Sequence, residues 1–396
     1  MKPNAVLVRY AEVFLKGGRR PWFEARLREA IDRQVSAAGP FRVREMHACM
    51  AVAHRDSKGW DLPDIEVGDA LNAAIGRCFG VVSWSPARIV AREISRIEAE
   101  VAAIADEDVA GAETFKVESS RSDKDFPLDS MELNRRLGGV VWERTRVKVR
   151  MKDPTVTVSC QILPKVAALF VETRPGPGGL PVGSSGRVLL LLSGGIDSPA
   201  AGWLAMRRGC EIDAVHFDAA PYTGPESRAK VEDLARLLAA HERSMRLHVV
   251  PFGALQADLR DGAPGRLLVL LYRRMMVRIA SAIAAERGAL ALVTGENLGQ
   301  VASQTLENLA VIEDATAMPI LRPLVTYDKM ETVALARRIG TYETSIRPGE
   351  DCCSLFVPDH PETAGRVARL REVESRFDVE AMVAAALKGV EALDLP

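Results

Sequence analysis

The chain has 396 residues, a net charge of −1, 47% hydrophobic and 27% charged residues, the make-up of a globular protein with core enough for two or three domains. No apolar run reaches membrane-spanning length and the N-terminus lacks the apolar stretch of a signal peptide, which speaks against a membrane or exported protein and implies the cytoplasm. Six cysteines without a Cys-x-x-Cys pair speak against a disulfide framework or a zinc ribbon.

From the N-terminus, Ala5 to Tyr10 reads as a strand, Trp22 to Ala37 as an amphipathic helix, and Phe41 to Met46 and Met50 to Ala53 as two more strands. This βαββ order suggests a small ferredoxin-like domain over residues 1–67. A second α+β domain follows over 68–173. Its helices are expected at Asp69 to Arg77 and Ile94 to Ala105, with strands at Val81 to Ala91 and Thr114 to Ser119. A helix capped at Ser130 and strands Lys148 to Met151, Thr155 to Ile162 and Val166 to Glu172 complete it. Although the whole chain is near neutral, its first sixty residues are basic (Arg9, Lys16, Arg19, Arg20, Arg26 among them). So is the stretch carrying Arg135, Arg136, Arg144, Arg146, Lys148, Arg150 and Lys152. That asymmetry fits an RNA-facing N-terminal half, and solvated helix faces would explain many of the same charges.

The Pro/Gly/Ser stretch at 174–186 reads as a linker, and a third domain occupies 187–396. It opens with Val188 to Leu192, an apolar strand buried on both faces, which stops at Ser193-Gly194-Gly195. A helix starts just beyond, with Ser198 as its cap and Pro199 in its first turn, and Glu211 to Phe217 is the next strand. The later segments repeat the βα rhythm: helix Ser227 to His241, strand Met245 to Phe252, helix Leu267 to Arg287, strand Ala289 to Thr294, strand Pro319 to Val325 and helix Lys329 to Ile339. The expected fold is α/β, a doubly wound parallel sheet preceded by two α+β domains.

The loop between the first strand and helix of this domain carries the chemistry. It matches neither the mononucleotide P-loop nor the dinucleotide fingerprint. Ser-Gly-Gly-x-Asp-Ser after a Leu-rich strand is the pyrophosphate (PP) loop of ATP pyrophosphatases. Gly194 and Gly195 offer amide N–H groups, Ser193 and Ser198 add hydroxyls, and the helix dipole opposes phosphate charge. Asp197 is an odd neighbour for polyphosphate unless Mg²⁺ lies between them.

Several collinear motifs then resemble the tRNA 4-thiouridine synthetase (tRNA sulfurtransferase, ThiI) family. They are Tyr10-Ala-Glu-Val-Phe-Leu-Lys-Gly17, Arg121-Ser-Asp-Lys-Asp-Phe-Pro-Leu128 with Glu132-Leu-Asn134, residues 178–199, His216-Phe217, the run 294–305 and Ser345-Ile-Arg-Pro-Gly-Glu-Asp-Cys-Cys353. The resemblance implies a ferredoxin-like domain, a THUMP domain that binds tRNA and a PP-loop catalytic domain. The implied product is 4-thiouridine at position 8 of tRNA. It further implies that ATP contacts Leu191, Leu192, His216, Phe217, Arg273, Gly295 and Gln304, with Arg274 left open as the alternative to Arg273. Leu191, Leu192 and Phe217 could equally be core. Cys352 matches the cysteine that carries persulfide sulfur, and Cys353 is a candidate second thiol. Two buried cysteines would be the bland alternative. Cys49, Cys78, Cys160 and Cys210 fall in regular elements and read as core.

ATP and Mg²⁺ are the implied cofactors. The implied partners are tRNA, a cysteine desulfurase as sulfur donor and a second copy in a homodimer. The chain stops without the C-terminal rhodanese-like domain of many members, so a thiamine-thiazole role does not carry over. No cysteine stands near Tyr272 to Met276 to hold the iron–sulfur cluster of other relatives. The alternatives are another PP-loop tRNA-modifying or amide-forming synthetase, or a tRNA-binding protein with a decayed ATPase.

Overall fold

The computed structural model describes residues 1–349, 356 and 360–395, and the chain falls into two units, Met1–Pro181 and Val182–Pro396. The first unit begins with β1 (Ala5–Tyr10), α1 (Arg20–Ala38), β2 (Phe41–Met46), β3 (Cys49–His54), α2 (Asp69–Gly76) and β4 (Val81–Ala91). Phe23, Leu27, Ile31 and Val35 recur every fourth residue along α1 and are buried, forming one apolar stripe against the sheet. The strand order β2-β3-β1-β4 is antiparallel throughout. α2 and β4, which the sequence reading places beyond residue 67, therefore complete the ferredoxin-like sheet.

The chain continues through α3 (Ile94–Ile104), β5 (Thr114–Arg121), α4 (Ser130–Thr145), β6 (Lys148–Val149), β7 (Val156–Ile162), β8 (Val166–Phe170) and β9 (Arg174–Pro175). Asp129, rather than Ser130, caps α4: its carboxylate accepts from the Glu132 amide at 2.8 Å while Glu132 accepts from the Asp129 amide at 2.7 Å. β4 joins the two halves of the unit. It pairs with β1 from Val81 to Ala87 and with β8 from Arg88 to Ala91, so one sheet runs through both. The first half of the expected linker is bound to that same strand: β9 pairs with β4, and the amides of Gly176 and Gly178 donate to Val82 O and Val81 O.

The second unit holds β10 (Arg187–Leu191), α5 (Asp197–Arg207), β11 (Glu211–Asp218), α6 (Pro225–Ala239), β12 (Met245–Pro251), α7 (Gly253–Gly262) and α8 (Leu268–Glu286). It continues with β13 (Leu292–Val293), α9 (Leu306–Glu313), β14 (Ile320–Leu321), α10 (Lys329–Arg338), α11 (Tyr342–Ser345), α12 (Val367–Glu374), α13 (Val379–Lys388) and β15 (Glu391–Leu395). The sheet order is β14-β13-β10-β11-β12-β15. The first five strands are parallel, and β15 adds an antiparallel edge along β12. Strands β13 and β14 are far shorter than expected. The chain progresses outward from β10 to β12 and then returns to the other side of β10, so the direction reverses between β10 and β13. Ligands of open α/β sheets sit beyond the carboxyl ends of the strands at such a reversal.

Candidate functional site

The loop that leaves β10 at the reversal is held by its own hydroxyls. The Ser193 amide donates to Ser198 Oγ at 2.9 Å, Ser198 Oγ donates back to Ser193 O at 3.3 Å, and the Gly195 amide donates to Ser193 Oγ at 3.3 Å. The two hydroxyls lie 3.2 Å apart. α5 begins at Asp197, two residues earlier than expected. Ser198 is therefore inside the helix, and its hydroxyl closes the loop instead of capping. The N-terminus of α5 thus lies at the loop, a position that attracts anions.

A cavity of about 260 Å³ opens there. Leu191, Leu192, Ser193, Gly195, Asp197, Ser198, His216, Phe217, Arg273, Gly295 and Gln304 all line it; of the nucleotide-contact residues expected from sequence, only Gly194 does not. Met276, Val277 and Ile312 add apolar wall. His216 Nδ1 donates to Leu192 O at 3.2 Å, which fixes the ring beside the strand end. Phe217 meets Phe252 edge-on at 5.2 Å, so it serves core and cavity together. Gly295 is required by close approach: a Cβ there would stand 2.6 Å from the Ser198 amide nitrogen. Gln304 is 6% exposed, and its Oε1 has no hydrogen-bond partner among the described residues. A buried amide oxygen left open in a cavity wall is a place for a ligand donor.

Charge around the cavity is organised in pairs that the sequence reading did not anticipate. Lys329 Nζ reaches both oxygens of Asp197, at 2.9 and 3.2 Å, and Gln300 Nε2 donates to the same carboxylate at 3.1 Å. Glu296, 4% exposed, accepts from Arg273 at 2.5 Å, Arg322 at 2.8 Å and Thr294 at 2.9 Å. Glu296 and Gln300 lie inside the run 294–305 that carried the resemblance. Lys329 and Arg322 had no local signal, because they arrive from later turns of the chain. No three His, Cys, Asp or Glu among the described residues stand close enough to hold a metal ion. Asp197 and Glu296 are the carboxylates that line the cavity.

Arg274 is not at the cavity. It is 1% exposed and pairs with Glu374 and Asp314 at 2.8 and 3.0 Å, which leaves Arg273 as the arginine of the site. The four described cysteines are all buried. Burial pushes the thiol of Cys49 up to about 11 and those of Cys78 and Cys160 up to about 12, and raises Cys210 as well, so none is a ready nucleophile. Cys352 and Cys353 lie outside the described residues.

In the first unit, the end of α4 and the chain after it present an exposed basic surface. Arg146 adopts a left-handed conformation and stacks on Trp142, its guanidinium 4.2 Å from the ring centroid. Arg135, Arg146, Lys148, Arg150 and Lys152 are exposed and form no ion pair among the described residues, whereas Arg136 and Arg144 are taken by Glu98 and Asp106. Among the described residues, no helix is long and apolar enough to cross a membrane.

Three family descriptions match the chain in order: a ThiI ferredoxin-like domain over residues 5–85, a THUMP domain over 91–172, and thiamine biosynthesis protein (ThiI) over 183–379. The chain is 43% identical to a probable tRNA sulfurtransferase of Moorella thermoacetica, covering 98% of this chain and 97% of that protein. It is 39% identical to a probable tRNA sulfurtransferase of Staphylococcus aureus, covering 100% and 95%. Its structure matches a 4-thiouridine synthetase–RNA complex with bound ATP at a TM-score of 0.88, with 33% identity over 99% of each chain.

Proposed function

The chain belongs to the tRNA sulfurtransferase (ThiI) family, and on that premise we propose that it converts uridine 8 of tRNA to 4-thiouridine by adenylation followed by sulfur transfer. The observation that carries the proposal is the convergence of the Ser193–Ser198 loop, Arg273 and the open Gln304 Oε1 on one cavity at the sheet's reversal. The apolar wall of Leu191, Phe217, Met276, Val277 and Ile312 suits a purine ring. Gln304 Oε1 can accept from its amino group, and the loop amides and hydroxyls suit its phosphates.

The C4 oxygen of uridine is a poor leaving group. Its attack on the α-phosphorus of ATP breaks the bond to the bridging oxygen, pyrophosphate departs, and C4 is left bearing AMP. Asp197, held by Lys329 and Gln300, orients the loop for that step and would be the carboxylate to hold Mg²⁺, which would offset phosphate charge there. Sulfur then attacks C4 and AMP leaves. Cys352 is the proposed carrier, as a persulfide charged by a cysteine desulfurase, and a second thiol, for which Cys353 is adjacent, cleaves the remaining S–S bond. The exposed cations around Arg146 and Trp142 suit the tRNA backbone and an unpaired base. The reaction belongs in the cytoplasm.

The test supplies tRNA, ATP and a persulfide-charging system and follows pyrophosphate and 4-thiouridine together. One thiolated nucleoside per pyrophosphate, with neither formed when tRNA is omitted, is expected. Pyrophosphate release without a thiolated base would refute the sulfur-transfer step.

A further inference from the structure

Lys230, in α6, is only 8% exposed. Its described hydrogen bond goes to a neutral acceptor, Arg347 O, at 3.0 Å, and it belongs to no ion pair among the described residues. An ammonium carries three donors and a full charge, and lysine is almost never buried without a charged partner. Its position suggests what the partner is. The side chain runs against the loop at Gly194, where a Cβ would stand 2.6 Å from Lys230 Cε and 3.2 Å from Nζ. On the other side, a Cβ on Gly349 would stand 3.4 Å from the same two atoms. The ammonium thus occupies a slot between the loop and residues 347–349, and that stretch is tied to the loop a second time by Ser345 Oγ, which donates to Gly195 O at 3.3 Å.

The other charges near the loop are already matched. Asp197 has Lys329, and Glu296 has Arg273 and Arg322. Lys230 is left as a buried cation facing a loop built to receive phosphate. We propose that Lys230 is a polyphosphate ligand of this site, one that holds the β- and γ-phosphates of ATP and takes the charge of the departing pyrophosphate. The proposal rests on the cavity being an ATP site. When the α-phosphorus is attacked, its bond to the bridging oxygen breaks and the electron pair goes to that oxygen. A fixed ammonium already in place stabilises this charge as it forms and needs no reorganisation. The role also explains Gly194, the loop residue absent from the cavity wall: it makes room for the lysine stem.

The test uses the full-length protein, with Lys230→Gln and Lys230→Arg, and measures binding of ATP, inorganic pyrophosphate and AMP by calorimetry beside the melting temperature. Lys230→Gln should weaken ATP and pyrophosphate by roughly tenfold to a hundredfold, the worth of one charge-assisted hydrogen bond, and leave AMP nearly unchanged. Lys230→Arg should recover most of the loss. If AMP weakens as much as ATP, or neither changes, Lys230 merely fastens the Arg347 carbonyl and the proposal is overturned. Wild-type protein that binds AMP and ATP equally would overturn it too. Failure of the wild type to bind any adenine nucleotide would instead overturn the reading of the cavity, and this proposal with it.

Discussion

Arg273 and Arg274 are consecutive in α8 and face different surroundings: Arg273 lines the cavity and meets Glu296, whereas Arg274 is buried against Glu374 and Asp314. Substituting each by Met should separate site from scaffold. Arg273→Met should keep the melting temperature within a few degrees and lose most ATP-dependent pyrophosphate release. Arg274→Met removes a buried guanidinium from Glu374 and Asp314, which keep Arg278 and Arg371, and should cost roughly 1–3 kcal/mol of stability. Melting curves and pyrophosphate assays on the two variants check the contrast; equal destabilisation would contradict it.

The pairing of Asp197 with Lys329 predicts matched phenotypes from residues 132 positions apart. Asp197→Ala and Lys329→Met should each abolish tRNA-dependent pyrophosphate release while leaving tRNA affinity near the wild-type value. Gel-shift and pyrophosphate measurements on the same preparations decide it, and full turnover in either variant would remove that residue from the mechanism.

Stability should fall with pH because of Glu242. This residue is 7% exposed, and burial, reinforced by Glu211 and Asp213 and opposed by a bond from the Ile212 amide, pushes its carboxyl up to about 8. Between its unfolded value near 4.5 and about 8, the folded chain binds the extra proton, so stability drops as pH rises through that window. Glu242→Gln keeps an acceptor for the Ile212 amide and removes the titration. The variant should match wild type near pH 4.5 and exceed it at pH 8, by roughly a few kcal/mol at most. Denaturant titrations at the two pH values test the sign.

How much of this was legible in the sequence depends on whether residues acted locally. Strand β4 and helix α1 could be placed within a residue or two because alternation and four-residue spacing are local patterns. The cavity wall was legible because strand ends and the loop carry a recognisable motif. Lys329 and Arg322 were not, since nothing in their own neighbourhoods distinguishes them from solvated basic residues. Arg273 and Arg274 were equally basic in one dimension, and only the helix's rotation of about 100° per residue separates them. β15 was missed because Glu391–Leu395 has an almost wholly exposed pattern, as an edge strand can.

Binding to tRNA should depend steeply on salt. Arg146→Ala and Arg150→Ala in the full chain should each weaken tRNA binding and lower the slope of log affinity against log salt by about one, because each phosphate contact releases roughly one counterion. Trp142→Ala should weaken binding with the slope unchanged, since stacking releases no ions. Slopes unaffected by all three substitutions would place the RNA surface elsewhere.

Cys352 and Cys353 allow adenylation to be parted from sulfur transfer. Cys352→Ser should still release pyrophosphate on tRNA and make no 4-thiouridine, and Cys353→Ser should be milder. Serine at Cys49, Cys78, Cys160 or Cys210 should affect stability and not the ratio of the two products, because these thiols are buried. Normal thiolation by Cys352→Ser would move the carrier role to another residue.

β4 gives the first unit a property that neither of its halves would have alone. Because Val81 to Ala87 belongs to one half and Arg88 to Ala91 to the other, the hydrogen bonds of both depend on a single length of backbone staying straight. The halves are then joists nailed to one beam. They should melt in one transition, and a graft exchanging either half between relatives must carry a copy of this strand or inherit a raw edge.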